Sequence, residues 1–86
     1  YIINGRVQGV GVRWCAQRTG RRLGLGGHVH NLPDGSVEVH ARGPQEGLAA
    51  FEAALREGPP SSRVDAVASI PADPRTPASE FLMEEW

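Results

Sequence analysis

The feature that most constrains the fold of this 86-residue chain is a pair of segments whose apolar residues have helical spacing. Each of these segments is flanked by segments typical of β-strands. In the first stretch, the inward positions at steps of three and four residues are Val12, Cys15, Ala16, Thr19 and Leu23. The second stretch begins at Pro44 and ends before Gly58. Proline is favourable at the first position of a helix, because the N–H group that it lacks would have no acceptor within the helix there. The predicted inward face of the second stretch consists of Leu48, Phe51 and Leu55. The sequence therefore predicts two amphipathic helices.

The other segments are typical of β-strands. A β-rich run starts at residue 1 and ends at Gly5 or continues to Val7. After Gly27, apolar and polar residues alternate on both sides of a turn at 32–35, and this pattern predicts a β-hairpin. Two further strands are predicted at 64–70 and, as an edge strand, at 81–86, with a proline-rich loop between them. The order is therefore strand, helix, strand, strand, helix, strand.

Two helices cannot cover both faces of such a sheet. Both are expected to pack on one face and to leave the other face half-exposed to water. Right-handed crossovers then give an α+β fold of the ferredoxin-like kind, a βαββαβ sandwich with an antiparallel sheet and two helices on one face. A chain of this length forms one domain, which we expect to span residues 1–86.

Composition and charge exclude several classes of function. The formal net charge is −1, and nucleic-acid binding needs a broad cationic face, so no nucleic-acid partner is expected. No run of about 18 apolar residues is present, so no segment is expected to span a membrane. There is also no signal-peptide pattern. Because Cys15 is the single cysteine, no internal disulfide can form, and we expect a cytoplasmic monomer.

The segment from Gln8 to Arg13 joins the first strand to the first helix and is the main candidate for chemistry. Backbone N–H groups at a helix N-terminus attract anions, and Gly9 and Gly11 let the chain curve so that several amides converge. Arg13 can add a bidentate contact to an oxyanion. Without any lysine the chain has no nucleotide-binding P-loop, and Trp14 stands where the dinucleotide fingerprint needs a third glycine. These residues alone leave open both a phosphate-binding loop and a glycine-rich turn with an incidental arginine.

Two blocks of the sequence resemble the signatures of the acylphosphatase family. Residues 5–13 read GRVQGVGVR and are similar to the family pattern Gly-x-Val-Gln-Gly-Val followed closely by arginine. Residues 23–37 read LGLGGHVHNLPDGSV and are similar to the second motif, which is Leu-Gly-Leu, Gly-aromatic-Val-x-Asn, a turn and Gly-x-Val. Pro44 and the segment 64–67 also match, so the resemblance covers essentially the whole chain.

The resemblance implies an enzyme that hydrolyses the carboxyl-phosphate bond of acyl phosphates to a carboxylate and inorganic phosphate. It implies that Arg13 binds the phosphoryl group and that Asn31 orients the attacking water, so that these two residues are catalytic. The residues whose backbone would bind the remaining substrate oxygens are Gln8, Gly9, Val10, Gly11 and Val12. Neither a cofactor nor a metal is implied. The expected partners are a small-molecule acyl phosphate and inorganic phosphate or a similar anion at the loop.

Two positions depart from the family pattern, and several residues suggest weaker hypotheses. Val12 replaces an aromatic residue and His28 replaces a tryptophan, and both changes are expected to alter packing rather than chemistry. His28 shares a strand face with His30, and His40 lies on the paired strand. No carboxylate or thiolate is placed to complete a zinc site, so ordinary strand histidines are expected. Cys15 is expected to pack in the core.

Trp14 is expected to be a partly exposed aromatic residue that flanks the site. Two other functions compete with that of a free-standing enzyme. One is a non-catalytic ferredoxin-like module that binds an anion or a protein, and the presence of both Arg13 and Asn31 disfavours it. The other is the acylphosphatase-like domain of a hydrogenase-maturation carbamoyltransferase. The lack of a cysteine-rich continuation after Trp86 favours the free-standing enzyme.

Overall fold

The computed structural model describes residues 1–8, 11–60, 62–71, 74–77 and 79–83. In chain order, the elements are β1 (Ile2–Arg6), α1 (Val12–Arg22), β2 (Gly26–Asn31), β3 (Val37–Arg42), α2 (Gln45–Glu57), β4 (Arg63–Ala68) and β5 (Phe81–Met83). The predicted order of helices and strands is confirmed. Of the last predicted strand, residues 84–86 lie outside the described part of the chain.

The five strands form one sheet in the order β4-β1-β3-β2-β5. The pairs β1–β3, β1–β4 and β2–β3 are antiparallel, as predicted. The edge strand β5 instead runs parallel to β2, with Phe81 opposite Gly27 and Met83 opposite Val29. The predicted antiparallel sheet is therefore corrected to a mixed sheet. The reason is topological, because β4 and β5 lie at opposite edges and the connecting chain reverses direction, so that β5 runs the same way as β2.

One face of the sheet carries both helices. Side chains alternate along a strand, so Val29, Val37 and Val39 point to the same face, where they are fully buried. They belong to one cluster with the buried side chains of both helices. The other members are Ile3, Val7, Val12, Ala16, Leu25, Phe51, Leu55 and Phe81. The prediction of two helices on one face is confirmed. Among the described residues, no helix is long and apolar enough to cross a membrane.

The helix ends agree with the sequence patterns with one difference. Gly24 after α1 and Gly58 after α2 adopt φ values of 73° and 67°, which glycine accepts without strain. Pro44, predicted as the first helical residue, is instead the N-cap of α2, because its ψ of 147° is extended. Cys15 and Leu23 are only partly buried, so the buried stripe of α1 is narrower than predicted.

The opposite face of the sheet was expected to be half-exposed, but its centre is buried. His28, His30 and His40 are 8%, 5% and 8% exposed, and the rings of His28 and His40 stack with centroids 4.6 Å apart. Glu38 accepts a hydrogen bond from His30 Nε2 at 2.7 Å and another from His40 Nε2 at 3.0 Å. The sequence did not indicate this contact between a carboxylate and the histidines, because it depends on the β2–β3 register that places Glu38 opposite His30.

The ring of Phe81 on β5 packs into a notch between α1 and β2. Gly20 of α1 and Gly27 of β2 form this notch, and a Cβ atom on either glycine would overlap the ring. Phe81 is 1% exposed, and Gln17 Nε2 donates a hydrogen bond to its carbonyl oxygen at 3.0 Å. Edge strand β5 is thus held by α1 as well as by β2.

Gly20→Ala is expected to destabilise the fold, because the new methyl group overlaps the Phe81 ring. Alanine gains about 1 kcal/mol of helix propensity over glycine, but overpacking of a filled core typically costs about 1–3 kcal/mol. We expect the free energy of unfolding, measured by urea denaturation, to fall by up to about 2 kcal/mol. Gly47→Ala is the matched control in α2, where the nearest atom to a Cβ is the Leu25 side-chain tip at 3.1 Å, whereas the Phe81 ring lies much closer to a Cβ at Gly20. Equal effects of the two substitutions on the free energy of unfolding would contradict the claim that the Phe81 ring fills the space beside Gly20.

Glu38 links the stability of the sheet to pH. Burial by itself raises the pKa of the Glu38 carboxyl, but the hydrogen bonds from His40 and His30 outweigh it and hold this pKa below its ordinary value. A carboxyl with a lower pKa in the folded chain stabilises the fold above its unfolded pKa, and this stabilisation is lost as pH falls through the folded pKa.

The free energy of unfolding should therefore decrease as the pH is lowered below about 4.3, the ordinary glutamate pKa. In Glu38→Gln this decrease should be smaller, because residue 38 no longer titrates. Denaturation in urea at pH 6 and at about pH 3.5 measures the difference. Glu46→Gln, which changes an exposed carboxylate of α2, should keep the wild-type dependence on pH. If both variants show the same pH dependence of the free energy of unfolding, Glu38 is not the group that causes the decrease at low pH.

Candidate active site

Helix α1 begins directly behind the glycine-containing loop. Gly11 is its N-cap and adopts φ 85° and ψ 12°, a left-handed conformation that favours glycine. No side chain of the described residues caps this end, and the first turn contains no acidic residue. The first amides of α1 therefore lack helical acceptors, and the positive end of the helix dipole is not neutralised by a carboxylate of this turn. Gly9 and Val10 of the predicted loop lie outside the described residues.

Arg13 is the second residue of α1 and its side chain is partly buried. A cation in the first turn of a helix opposes the helix dipole, and acidic residues are preferred there. The guanidinium and the helix end thus add positive charge to the same place. Both contributions favour an anionic ligand at the start of α1.

Gln8 connects this loop to the turn that joins β2 and β3. Its side-chain Nε2 donates hydrogen bonds to the carbonyl oxygens of Leu32 at 2.7 Å and Ser36 at 2.8 Å. The same turn is closed by a backbone hydrogen bond from Leu32 N to Ser36 O at 2.9 Å. The Gln8 side chain therefore positions the loop. Any hydrogen bond from Gln8 to a ligand would come from its backbone N–H group.

Asn31 is the last residue of β2, directly before this turn. It pairs with Val37 and shares the face of Val29, so its side chain is on the helix side of the sheet. Asn31 Oδ1 is buried and has no hydrogen-bond partner among the described residues. Leaving a buried acceptor unpaired costs about 1–3 kcal/mol, so a donor such as a water molecule at this atom would be stabilising.

Arg13 and Asn31 line one cavity of about 120 Å³. The structure thus brings together the two predicted catalytic side chains and two of the predicted binding residues. The complete lining is Val7, Gly11, Val12, Arg13, Trp14, Asn31 and Met83. The flanking position expected for Trp14 agrees with this lining.

Sequence analysis did not identify Val7 or Met83 as site residues. Val7 could have been found as the residue that links β1 to the loop. Met83 gave no local signal, because it reaches the cavity only through the parallel pairing of β5 with β2.

The other candidate residues do not form a second reactive centre. Among the described residues, no group of three or more His, Cys, Asp or Glu side chains could hold a metal ion. Cys15 is partly buried and borders a small apolar cavity on the other side of α1, together with Val12 and Ala16. Val12, which stands in place of an aromatic residue, lines both this cavity and the cavity shared by Arg13 and Asn31.

The chain is thus a small ferredoxin-like α+β domain in which the start of the first helix, a guanidinium and a carboxamide meet at one cavity. A model of the acylphosphatase family matches residues 1–83. An acylphosphatase of Koribacter versatilis is 45% identical over 84 residues, which cover 98% of this chain and 76% of that protein. The crystal structure of acylphosphatase from Bacillus subtilis has a TM-score of 0.84 at 35% identity, over 96% of this chain and 92% of that chain.

The chain also matches part of a much larger protein. The crystal structure of T. kodakarensis HypF has a TM-score of 0.85 at 29% identity, over 98% of this chain but only 11% of the HypF chain. The family model and the relatives of similar length place this chain in the acylphosphatase family, an enzyme family. Both the family and the ferredoxin-like fold predicted from the sequence are confirmed.

Gln8→Glu keeps the shape of the side chain but removes both donated hydrogen bonds and places a carboxylate beside two carbonyl oxygens. We expect the free energy of unfolding to fall by about 2–3 kcal/mol. Activity of the folded protein toward an acyl phosphate should also fall, because the loop is no longer held at the turn.

Gln17→Glu is the matched control, since it removes the hydrogen bond from α1 to Phe81 O and leaves the contacts between loop and turn intact. It should reduce stability, and activity should fall less than in Gln8→Glu. Full activity of folded Gln8→Glu would show that the loop keeps its position without these hydrogen bonds.

Proposed function

We propose that the cavity between Arg13 and Asn31 is the active site, and that this chain hydrolyses acyl phosphates there by a metal-free mechanism. The observation that carries the proposal is that a partly buried guanidinium and a buried carboxamide oxygen line the same 120 Å³ cavity. The two groups suit two different ligands, namely a phosphoryl anion at the Arg13 guanidinium and a water molecule at Asn31 Oδ1.

The phosphoryl group would be held by positive charge from two sources. The Arg13 guanidinium can donate two parallel hydrogen bonds to its oxygens. The first-turn amides of α1, with the backbone of the loop from Gln8 to Val12, would donate to the others. In phosphoryl transfer the protein contributes mainly positioning and charge stabilisation, so these donors supply the chemistry that a metal ion supplies in other phosphatases.

Asn31 would orient the nucleophile. Its amide oxygen is too weakly basic to remove a proton, but it can accept a hydrogen bond from water and direct the water lone pair at phosphorus. The water oxygen then bonds to phosphorus, and the bond from phosphorus to the bridging oxygen breaks. The carboxylate leaves with the electron pair and both water protons end on the phosphate, so the products are a carboxylate and dihydrogen phosphate. A carboxylate is a good leaving group, so no strong general acid is needed.

We infer that the enzyme acts as a cytoplasmic monomer on small-molecule acyl phosphates, with inorganic phosphate or a similar anion bound at the loop. We also infer that residues 1–86 fold as a single domain. One continuous core cluster in the described part of the chain supports the single domain. The net charge of −1 supports the absence of a nucleic-acid partner.

A second candidate function is that of an acylphosphatase-like domain within a larger hydrogenase-maturation enzyme. The match to a segment of HypF at 29% identity supports it. The 35% identity to the Bacillus subtilis structure, over most of both chains, favours the free-standing enzyme. Benzoyl phosphate and carbamoyl phosphate, compared as substrates of the same preparation, distinguish the two candidates.

Arg13→Gln and Asn31→Ala should reduce hydrolysis of benzoyl phosphate in different ways. Arg13→Gln loses a charge-assisted bidentate contact, which should lower kcat/KM by a factor that corresponds to about 3 kcal/mol or more. Asn31→Ala should lower kcat with little change in the affinity for inorganic phosphate, measured as a competitive inhibitor. The proposed mechanism uses no imidazole or carboxyl as general acid or base, so the wild-type rate should be nearly constant between about pH 6 and 8.

Matched controls are Arg22→Gln, at the other end of α1, and Asn4→Ala, on the exposed part of β1. Both should leave the kinetics unchanged. A chelator in the assay should also have no effect on the wild-type rate. Unchanged kcat in Asn31→Ala would remove the water-orienting function from this residue, and loss of activity with the chelator would refute the metal-free mechanism.

A further inference from the structure

Trp14 is exposed at the active-site cavity, although the mechanism above does not use it. It is 57% exposed, the most exposed large apolar side chain among the described residues. It follows Arg13 directly on α1 and lines the same cavity. Tryptophan in this situation leaves a large apolar area in water that a bound apolar group could cover.

The Trp14 ring is held in place by a second residue of the same helix. The guanidinium carbon of Arg18 lies 5.0 Å from the ring centroid, a cation–π contact between residues one turn apart. A ring held by such a contact loses less conformational freedom when a ligand covers it. This arrangement favours binding of a ligand over a purely accidental exposure of the side chain.

The cavity lining divides into a polar part and an apolar part. Arg13 and Asn31 form the polar part, which the proposed mechanism assigns to the phosphoryl group and the water. The apolar part includes Trp14 and Met83, which comes from β5. An acyl phosphate has the same division, because its charged phosphoryl end is joined to an acyl group that is apolar in many substrates.

We propose that Trp14, with Met83 beside it, binds the acyl group and selects substrates with a bulky apolar or aromatic acyl group over those with a small one. This inference rests on the proposed function, because it assumes that the phosphoryl group binds at Arg13. With the phosphoryl group at that position, an aromatic acyl group can cover apolar surface of the indole, whereas the single methyl group of acetyl phosphate covers little of it.

The test compares benzoyl phosphate with acetyl phosphate as substrates of wild-type protein and Trp14→Ala. In Trp14→Ala we expect kcat/KM for benzoyl phosphate to fall by roughly tenfold, mainly through KM, while kcat/KM for acetyl phosphate changes by less than about twofold. Trp14→Phe should restore most of the preference. Inhibition by inorganic phosphate, which has no acyl group, should be the same in all three proteins.

Leu82→Ala is the control for loss of an exposed apolar side chain, because Leu82 is 41% exposed and does not line the cavity. It should keep the wild-type ratio of the two substrates. An unchanged ratio in Trp14→Ala, or equal losses for both substrates, would refute the inference and leave the proposed function standing. If wild-type protein hydrolyses neither substrate, the proposed function itself is wrong.

Discussion

The geometry of the site depends on the two hydrogen bonds donated by the Gln8 side chain. The loop that leads into α1 follows β1, and Asn31 ends β2, but β3 lies between these two strands in the sheet. Backbone pairing therefore does not join β1 to β2 directly. Gln8 Nε2 crosses this gap and binds the carbonyl oxygens of Leu32 and Ser36. The carboxamide of Gln8 thus adds a direct link between the phosphate-binding half and the water-binding half of the proposed site, which the sheet connects only through β3.

A second constraint acts from the core. Gly20 and Gly27 have no side chains, and the space they leave admits the ring of Phe81. This packing sets β5 against β2, and two residues further along β5 the side chain of Met83 reaches the cavity. The apolar wall of the site thus depends on a contact between two glycines and a phenylalanine, about two helical turns along α1 from Arg13. A change in core packing there would move the wall without touching any polar group.

The elements that were predicted correctly depend on local patterns. The periodicity around Val12 and the alternation after Gly27 extend over few residues, so the order of helices and strands was readable, and the two family motifs pointed to Arg13 and Asn31. The features that were missed depend on how distant strands align. Glu38 meets His30 only through the β2–β3 register, and the parallel direction of β5 follows from the route of the chain between opposite edges of the sheet. Neither property can be predicted from a short stretch of sequence.

Two features of the site are unusual for the fold, and each suits one ligand of the proposed reaction. Arg13 adds a positive charge to the positive end of α1, whereas an acidic residue would stabilise this end of a helix. Asn31 Oδ1 is a buried acceptor with no hydrogen-bond donor in the described part of the protein. Residues that break local rules without gain in the fold are expected at functional sites. Because the first feature attracts an anion and the second can hold a water molecule, their meeting in one cavity supports hydrolysis more strongly than either residue alone.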